Sequence, residues 1–452
     1  MNQETNLNSE KTGWHLSRYF VYAKIPDGNG YAALDLFQGS FVVLTSVELY
    51  LLSIVESLDP SHPAMEKFRK FGLVVDFDQE EMLNALGRAG CGHNPDVSLT
   101  ICPTMGCNFD CPYCFEEHRA GKMSQETQNA VVALADRMLE SFGSKSLSVN
   151  WFGGEPLLAP DVIDALSQRL MDLAQRRNVR YTAKMISNGY LLTPENVAML
   201  ERCCVKIVQI TLDGLEEEHN KTRHLAGGQG TFDRITANLR ENRLPFKVLI
   251  RHNVHQDNLD QVEKLQSFIE QLAKESGNDL TYNAALVHGN DVMDRRGGNV
   301  SLLKAEEETK KIAMRQEAKR YASHEGMYCS ANNVYDMAVD HEGRMYKCWE
   351  EVDKPDRSFG HVTTWDPDRP IRSAEHKDQL TKYLNTCCPV PDPECRECLW
   401  LPLCCGGCPK MRLDGEDVCF AFKEDPEAFA LAVYKALNEK DQQQRESTEP
   451  VC

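Results

Sequence analysis

Three cysteines in one short segment have the spacing of iron-sulfur ligands. Cys107, Cys111 and Cys114 lie in the run Cys-Asn-Phe-Asp-Cys-Pro-Tyr-Cys, just after the apolar, strand-like stretch 97–102. Thiolates are the ligands that iron-sulfur clusters use, and a four-iron cluster held by three of them keeps one iron free for a substrate or cofactor. The segment therefore predicts a cluster that takes part in chemistry and does not only store electrons.

A second motif, Trp-Phe-Gly-Gly-Glu-Pro, follows about forty residues further on. The CX3CX2C pattern with Tyr113 before its last cysteine, together with this second motif, resembles the radical S-adenosylmethionine (SAM) enzymes. The resemblance implies that Cys107, Cys111 and Cys114 are the catalytic cluster ligands and that SAM chelates the free iron. One electron then cleaves SAM to methionine and a 5′-deoxyadenosyl radical, which takes hydrogen from a C–H bond of the substrate.

The same resemblance assigns further residues to the cofactor: Tyr113, Gly153, Gly154, Glu155, Pro156, Ser187, Asn188 and Arg223. The glycine-containing motif would meet the amino group of SAM, the Ser-Asn-Gly turn its ribose or carboxylate, and Tyr113 its adenine. Arg223 would pair with its carboxylate. Each of these assignments has a structural alternative. The Gly-Gly-Glu-Pro motif also fits a strand-to-helix turn and Ser-Asn-Gly an ordinary turn, while Tyr113 also fits aromatic packing and Arg223 a structural ion pair.

The composition excludes several classes of protein. The chain has 452 residues, of which 42% are hydrophobic and 26% charged, so we expect a globular protein of two to four domains. No stretch approaches ~18 uninterrupted apolar residues and the amino terminus is polar, which predicts neither a membrane span nor a signal peptide, and hence a cytoplasmic location. A net charge of −18 argues against nucleic-acid and anionic-membrane partners.

Strands and helices alternate in the middle of the chain. Strands are predicted near 97–102, 147–152, 181–186, 205–212, 247–252 and 280–286, with helical periods between them. Ser124 and Thr193 are predicted helix N-caps, and Pro194 takes a first helical position. Six such units predict an α/β fold with a parallel sheet, a partial (β/α)6 TIM-type barrel, whose site lies at the carboxyl ends of the strands.

Residues 1–94 predict a small α+β module. The runs 18–25 and 31–44 are aromatic and alternating, a helix is expected over 46–58, and 65–75 reads as a helix turning at Gly72 into a strand. The module resembles the winged-helix-like recognition element (RRE) of many peptide maturases, which would bind a leader peptide by adding it to an edge strand. A structural cap or a dimerisation module is the alternative.

The carboxyl-terminal part is rich in cysteine. Eleven of the 18 cysteines lie between Cys329 and Cys452, and metal or cluster ligation explains them better than disulfides in a long cytoplasmic chain. Seven fit the spacing of the SPASM extension of radical SAM enzymes, which implies two auxiliary [4Fe-4S] clusters and three clusters in all. By resemblance, the first would use Cys329, Cys348 and Cys408, and the second Cys395, Cys398, Cys404 and Cys419. The fourth ligand of the first is Cys387, Cys388, a substrate thiolate or none, and structural zinc is the alternative to clusters.

The predicted domains are therefore residues 1–94, a radical SAM core at 95–318, a SPASM domain at 319–425, and 426–452. The last part is expected to be a helix over 426–437 followed by a disordered tail. Cys91, Cys102, Cys203, Cys204, Cys405 and Cys452 fit no motif and are expected to be simply buried.

The resemblance favours a maturase that cross-links a ribosomally made precursor peptide by a thioether or carbon-carbon bond. Its expected partners are the precursor peptide with its leader and a reductant such as flavodoxin or ferredoxin. Formylglycine formation or another peptidyl oxidation is the main alternative, but Trp349 stands where sulfatase-activating enzymes have an aspartate base after the cysteine. A non-catalytic iron-sulfur or zinc protein is the alternative from another class.

Overall fold

The computed structural model describes residues 13–26, 28, 30–83, 96–287, 306–323, 329–333, 335–386 and 392–448. Four cysteines considered above, Cys91, Cys387, Cys388 and Cys452, lie outside these residues. No helix in the described ranges is long and apolar enough to cross a membrane.

The amino-terminal part contains a three-stranded antiparallel sheet in the order β2-β3-β4. The sheet consists of β2 (Phe20–Lys24), β3 (Tyr31–Asp35) and β4 (Ser40–Leu44), while β1 (His15–Leu16) and β5 (Val74–Val75) pair separately. The helices of this part are α1 (Ser46–Ser53) and α2 (Pro63–Lys70). The predicted run 31–44 is thus two paired strands, and the helix expected to reach residue 58 ends at Ser53 and gives way to a 3-10 turn. Gly72 has φ +64° and joins α2 to β5, as predicted.

A nine-stranded sheet forms the centre of the protein, in the order β11-β10-β9-β8-β7-β6-β12-β13-β14. Its six parallel strands are β6 (Val97–Ile101), β7 (Ser146–Trp151), β8 (Arg180–Ser187), β9 (Val205–Thr211), β10 (Lys247–Val254) and β11 (Leu280–Leu286). The predicted strand boundaries agree with these to within two residues. The structure therefore confirms the predicted α/β fold with a large, mostly parallel sheet, which is consistent with a partial TIM-type barrel.

Helices cover the sheet between these strands: α3 (Gln125–Phe142), α4 (Pro160–Arg177), α5 (Pro194–Arg202), α6 (Glu216–Thr222), α7 (Phe232–Glu241) and α8 (Gln261–Ser276). The side chains of Ser124 and Thr193 accept hydrogen bonds from the N–H groups of the third helical residues, so both predicted caps are confirmed. Val131, Leu134 and Met138 of α3 are fully buried, as their helical spacing requires.

The carboxyl-terminal part continues the central sheet. The strands β12 (Asp336–Val339), β13 (Arg344–Tyr346) and β14 (Gly360–His361) extend it, and β12 pairs in parallel with β6. The helices here are α9 (Glu306–Ser323), α10 (Pro370–Ser373), α11 (Lys377–Leu384), α12 (Pro393–Glu397), α13 (Leu401–Cys404), α14 (Pro409–Leu413) and α15 (Pro426–Thr448). The sequence did not indicate this continuation, because short strands give little periodicity.

A second hydrophobic core joins the two ends of the chain. Val21 and Leu34 of the amino-terminal sheet share it with Trp400, Phe422 and Phe429, and the Trp400 ring lies 5.2 Å from each of those phenylalanines. The cysteine-rich part therefore packs on a core that it shares with residues far away in sequence. The predicted end of the last helix was wrong, because α15 continues to Thr448 through residues of high helix propensity.

Candidate active site

The three cysteines of the predicted primary cluster lie in one loop at the carboxyl end of β6. A β-bridge between Thr104 and Lys122 closes the base of this loop. Cys111 is buried, whereas Cys107 and Cys114 are half-buried and pack against the barrel core. The structure thus places all three thiols at the sheet edge where parallel α/β proteins form their sites.

Gly153 and Gly154, which follow β7, pack on the backbone that leads into the cysteine loop. A Cβ at Gly153, where φ is +110°, would lie 2.2 Å from the carbonyl oxygen of Thr104. A Cβ at Gly154 would lie 2.5 Å from the carbonyl oxygen of Gly106, which also accepts a 2.9 Å hydrogen bond from the N–H of Glu155. These glycines therefore allow two loops of the site to approach each other.

The Glu155 carboxylate is completely buried and connects the ends of β7 and β8. It accepts hydrogen bonds from the N–H of Asn188 at 2.7 Å, the hydroxyl of Ser187 at 3.0 Å and the N–H of Leu157 at 2.9 Å. Burial raises the pKa of this carboxyl to about 7, although the hydrogen bonds oppose the shift. The amide of Asn188 donates in turn to Asn108 in the cysteine loop at 2.8 Å. The Gly-Gly-Glu-Pro motif, the Ser-Asn-Gly turn and the cysteine loop are thus linked by a chain of hydrogen bonds that starts at Glu155. Pro156 begins the buried 3-10 turn beside this residue.

Tyr113 and Arg223 form a second polar group on the other side of the cysteine loop. The Tyr113 hydroxyl donates to Asp213 and accepts a 2.8 Å hydrogen bond from Arg223 Nη1. Thr222 also donates to Asp213 at 2.9 Å, and the Arg223 guanidinium lies 5.7 Å from the centre of the Phe109 ring. Tyr113 and Arg223 were predicted separately, whereas the central Asp213 was not predicted as a site residue. Its position directly after β9 was the available signal.

Two buried atoms of this second group have no hydrogen-bond partner among the described residues: Asp213 Oδ1 and Arg223 Nε. Buried polar atoms are normally paired, so an unpaired acceptor and an unpaired donor on two residues linked by the Tyr113 hydroxyl are consistent with a ligand that supplies both complements. The methionine part of SAM carries an ammonium and a carboxylate group. The residues present therefore fit this cofactor.

The thiols of the cysteine loop fit a cluster by the chemistry of their donor set. Burial raises the pKa of Cys107 to about 12, so this thiol stays protonated unless a metal displaces the proton. Among the residues that the structure describes, no three His, Cys, Asp or Glu side chains are arranged to hold one metal ion. A cluster differs from a single ion because its own atoms lie between its ligands.

The carboxyl-terminal cysteines fall into two groups, within each of which the cysteines raise one another's pKa. Burial raises the pKa of Cys404 to about 11, and the nearby Cys398, Cys395 and Cys419 raise it further. Burial likewise raises the pKa of Cys329, and the nearby Cys408 raises it further. Burial also raises the pKa of Cys348, and Cys329 contributes to that increase. These groups coincide with the ligand pairing that the sequence resemblance implies.

Aromatic residues that follow Cys114 and Cys348 in the sequence form one cluster with Phe152. Trp349, which follows Cys348, has its ring 5.5 Å from that of Phe152, and Phe152 stacks on Phe115 at 6.5 Å. Phe115 in turn follows Cys114.

Of the cysteines expected to be simply buried, Cys102, Cys203 and Cys405 are buried and Cys204 is half-buried.

Residues 101–269 match the radical SAM superfamily. The chain therefore contains a radical SAM domain, the domain of a class of enzymes that use S-adenosylmethionine. The predicted enzyme class and family resemblance are confirmed by this match.

Curated relatives share this part of the chain. The AdoMet-dependent heme synthase of Methanosarcina barkeri is 32% identical over 38% of this chain and 46% of its own length. The PqqA peptide cyclase of Gluconobacter oxydans is 24% identical over 40% of this chain and 47% of its own. The cysteine-type anaerobic sulfatase-maturating enzyme of Clostridium perfringens is 28% identical over 31% and 39%. The chain thus spans less than half the length of each of these relatives.

A solved structure described as native anSMEcpe with bound AdoMet and Cp18Cys peptide has a similar fold. The TM-score is 0.56 at 20% identity, over 77% of this chain and 100% of the other. This similarity supports the fold and extends well beyond the radical SAM domain.

Proposed function

We propose that this chain is a radical SAM peptide maturase. In this proposal Cys107, Cys111 and Cys114 would hold a [4Fe-4S] cluster that, together with SAM, would supply a 5′-deoxyadenosyl radical for hydrogen abstraction from a ribosomally made precursor peptide. The product carries a thioether or carbon-carbon cross-link. The observation that carries the proposal is the convergence, on one cysteine loop of a radical SAM domain, of buried polar groups from the ends of β7, β8 and β9.

The residues of this chain bind and orient the cofactor in the proposal. Arg223 Nε would pair with the carboxylate of the methionine part and Asp213 Oδ1 with its ammonium, because both atoms are buried in this polar group without a partner among the described residues. The Tyr113 hydroxyl holds both side chains in place. Glu155 fixes Ser187 and Asn188 through three hydrogen bonds, so that this turn presents a constant shape to the ribose.

The remaining parts of the chain are assigned accordingly. Residues 1–94 recognise the precursor, 95–318 form the radical SAM core, 319–425 form a SPASM domain, and 426–452 form the C-terminal helix and tail. Two auxiliary [4Fe-4S] clusters are proposed, one on each of the two groups of cysteines. They would accept the second electron when the cross-link forms, while the second hydrogen of the substrate leaves as a proton. A flavodoxin or ferredoxin supplies the electron.

The free edge of β4 is the proposed docking place of the leader peptide. Among the described residues β4 pairs with β3 alone, while the opposite edge strand, β2, packs against α15. Beside β4, the apolar side chains of Val47 and Tyr50 on α1 are 68% and 63% exposed. An added strand would pair its backbone with β4 and cover these side chains.

Formylglycine formation is the alternative chemistry, and one curated relative is named a sulfatase-maturating enzyme. The indole of Trp349 packs on Phe152 and offers no carboxylate at the position where the resemblance expects the base. The lack of a carboxylate at residue 349 favours cross-linking over formylglycine chemistry.

The proposal is tested by anaerobic reconstitution, counting of iron and sulfide, and an assay of 5′-deoxyadenosine. We expect about twelve irons per chain, because three four-iron clusters are proposed. Replacing Cys107, Cys111 and Cys114 by alanine should remove about four irons and abolish cleavage of SAM. The control is Cys204→Ala, which alters a half-buried cysteine outside every motif and should leave both readouts unchanged.

The peptide part of the proposal is tested by incubation with short precursor peptides encoded beside the gene. A cross-linked product should be lighter than its precursor by two hydrogens for each new bond. Persistence of deoxyadenosine in the triple variant, or zinc in place of iron without SAM cleavage, would refute the radical mechanism. An aldehyde product would establish formylglycine chemistry instead.

A further inference from the structure

A histidine outside every predicted motif contacts a cysteine of the primary loop. The Nε2 atom of His118 lies 3.2 Å from the Sγ atom of Cys114. Cys107, by contrast, accepts a hydrogen bond from the backbone N–H of Phe109, at 3.4 Å. The side chain of His118 therefore gives Cys114 a polar contact that depends on residue type and can be altered by mutation.

The backbone of His118 has an uncommon conformation, although histidine adopts it more readily than most residues with a side chain. Its φ is +55°, in the left-handed region that residues with a side chain rarely adopt. Such a conformation persists only where surrounding contacts hold it, and it is a reason to look for a function.

The next residue supplies those contacts. Arg119 Nε lies 3.0 Å from Oδ1 of Asp353, and the Arg119 backbone N–H donates to the same carboxylate at 3.5 Å. Asp353 is only 1% exposed and belongs to the carboxyl-terminal part, five residues after Cys348. This ion pair, buried on the Asp353 side, fixes the chain directly after His118. It therefore helps to hold the imidazole against Cys114.

The direction of the hydrogen bond follows from the state of the cysteine. A cysteine that ligates iron is a thiolate and carries no proton, so the proton between the two atoms must belong to His118 Nε2. Hydrogen bonds to cluster sulfur stabilise the more negative, reduced cluster and so raise the reduction potential.

We propose that His118 is a positioning residue of the primary cluster, which donates a hydrogen bond from Nε2 to the Cys114 thiolate and raises the reduction potential of the cluster. This inference rests on the proposed function, since it requires a cluster on the cysteine loop.

The test compares two replacements that tolerate the left-handed backbone equally poorly. His118→Gln places an amide N–H where Nε2 stood, and His118→Leu fills similar space without a donor. Both proteins are reconstituted anaerobically and their iron is counted. The potential is then measured by a reductive titration followed by electron paramagnetic resonance, using the signal that changes on addition of SAM.

We expect His118→Leu to shift the reduction equilibrium about tenfold toward the oxidised cluster, which is about 59 mV for one electron. His118→Gln should stay near the parent potential. Equal shifts in both variants, or none in either, would overturn the inference, because the effect would then come from the backbone or be absent. If the cluster of His118→Leu is lost during the titration, the rates at which freshly reconstituted variants lose iron to a chelator are compared. Slower loss from His118→Gln than from His118→Leu supports the hydrogen-bond donor, and equal rates refute it.

A parent protein without a SAM-responsive iron signal would instead contradict the proposed function. That result is obtained before any variant is made, so the two failures are distinguishable.

Discussion

The Glu155 carboxylate accepts a 2.7 Å hydrogen bond from the backbone N–H of Asn188, which lies 33 residues further along the chain. This bond joins the carboxyl ends of two neighbouring parallel strands inside a fully buried site. Glu155 therefore has a structural task as well as any contact with a cofactor. It sets the shape of the turn at residues 187–189.

The stability of the protein should depend on the titration of Glu155. Burial raises the pKa of this carboxyl from 4.5 to about 7, so the folded protein keeps a proton that the unfolded chain releases. The contribution of this group to stability is therefore full below pH 4.5 and is lost as the pH rises toward 7, by about 3 kcal/mol in total. Glu155→Gln cannot titrate. As the pH rises from 5 to 8, the free energy of unfolding of Glu155→Gln should thus increase relative to that of the parent, as measured by urea denaturation.

The exposed Glu126→Gln on α3 is the control for that prediction, because it removes a carboxylate without removing a buried one. Parallel pH profiles for the parent and Glu155→Gln would show that the buried carboxyl does not titrate in this window.

Gly153 should tolerate no side chain, since its Cβ would meet the carbonyl of Thr104 at 2.2 Å. The matched control is Gly143→Ala, where φ is also positive, at +58°, but nothing lies within 4 Å of the added atom. Gly143→Ala should cost about 1–2 kcal/mol from the backbone alone. Gly153→Ala should cost at least about 2 kcal/mol more, or prevent folding, because backbone must move. Equal losses of unfolding free energy would mean that the two loops are not in close contact.

Removal of the Tyr113 hydroxyl should weaken both the fold and the binding of SAM. In Tyr113→Phe, Arg223 Nη1 loses its partner and Asp213 loses a donor in a buried site. We expect a loss of about 1–3 kcal/mol in unfolding free energy and a raised KM for SAM. Tyr22→Phe, at a position that is 44% exposed, should change stability by less than about 0.5 kcal/mol. Similar effects from the two substitutions would argue against the hydroxyl as the link between Asp213 and Arg223.

Local patterns in the sequence predicted much of the barrel. The six parallel strands and the caps at Ser124 and Thr193 were predictable because the alternation of buried positions and the capping chemistry are local properties. The cysteine spacing identified the loop of the candidate site for the same reason. The helix after Pro426 was predicted too short, since its polar extension has no hydrophobic period to reveal it.

What the sequence determined by itself was thus the type of fold, the cysteine loop and the class of enzyme, since each depends on residue types at short, fixed spacing. The tertiary structure alone decided that β12 continues the central sheet, that Asp213 sits between Tyr113 and Arg223, and that His118 reaches Cys114. These relationships join residues from different strands and loops, or depend on one unusual backbone angle. Long-range pairing and backbone strain are set by packing, and no local pattern of residues encodes them.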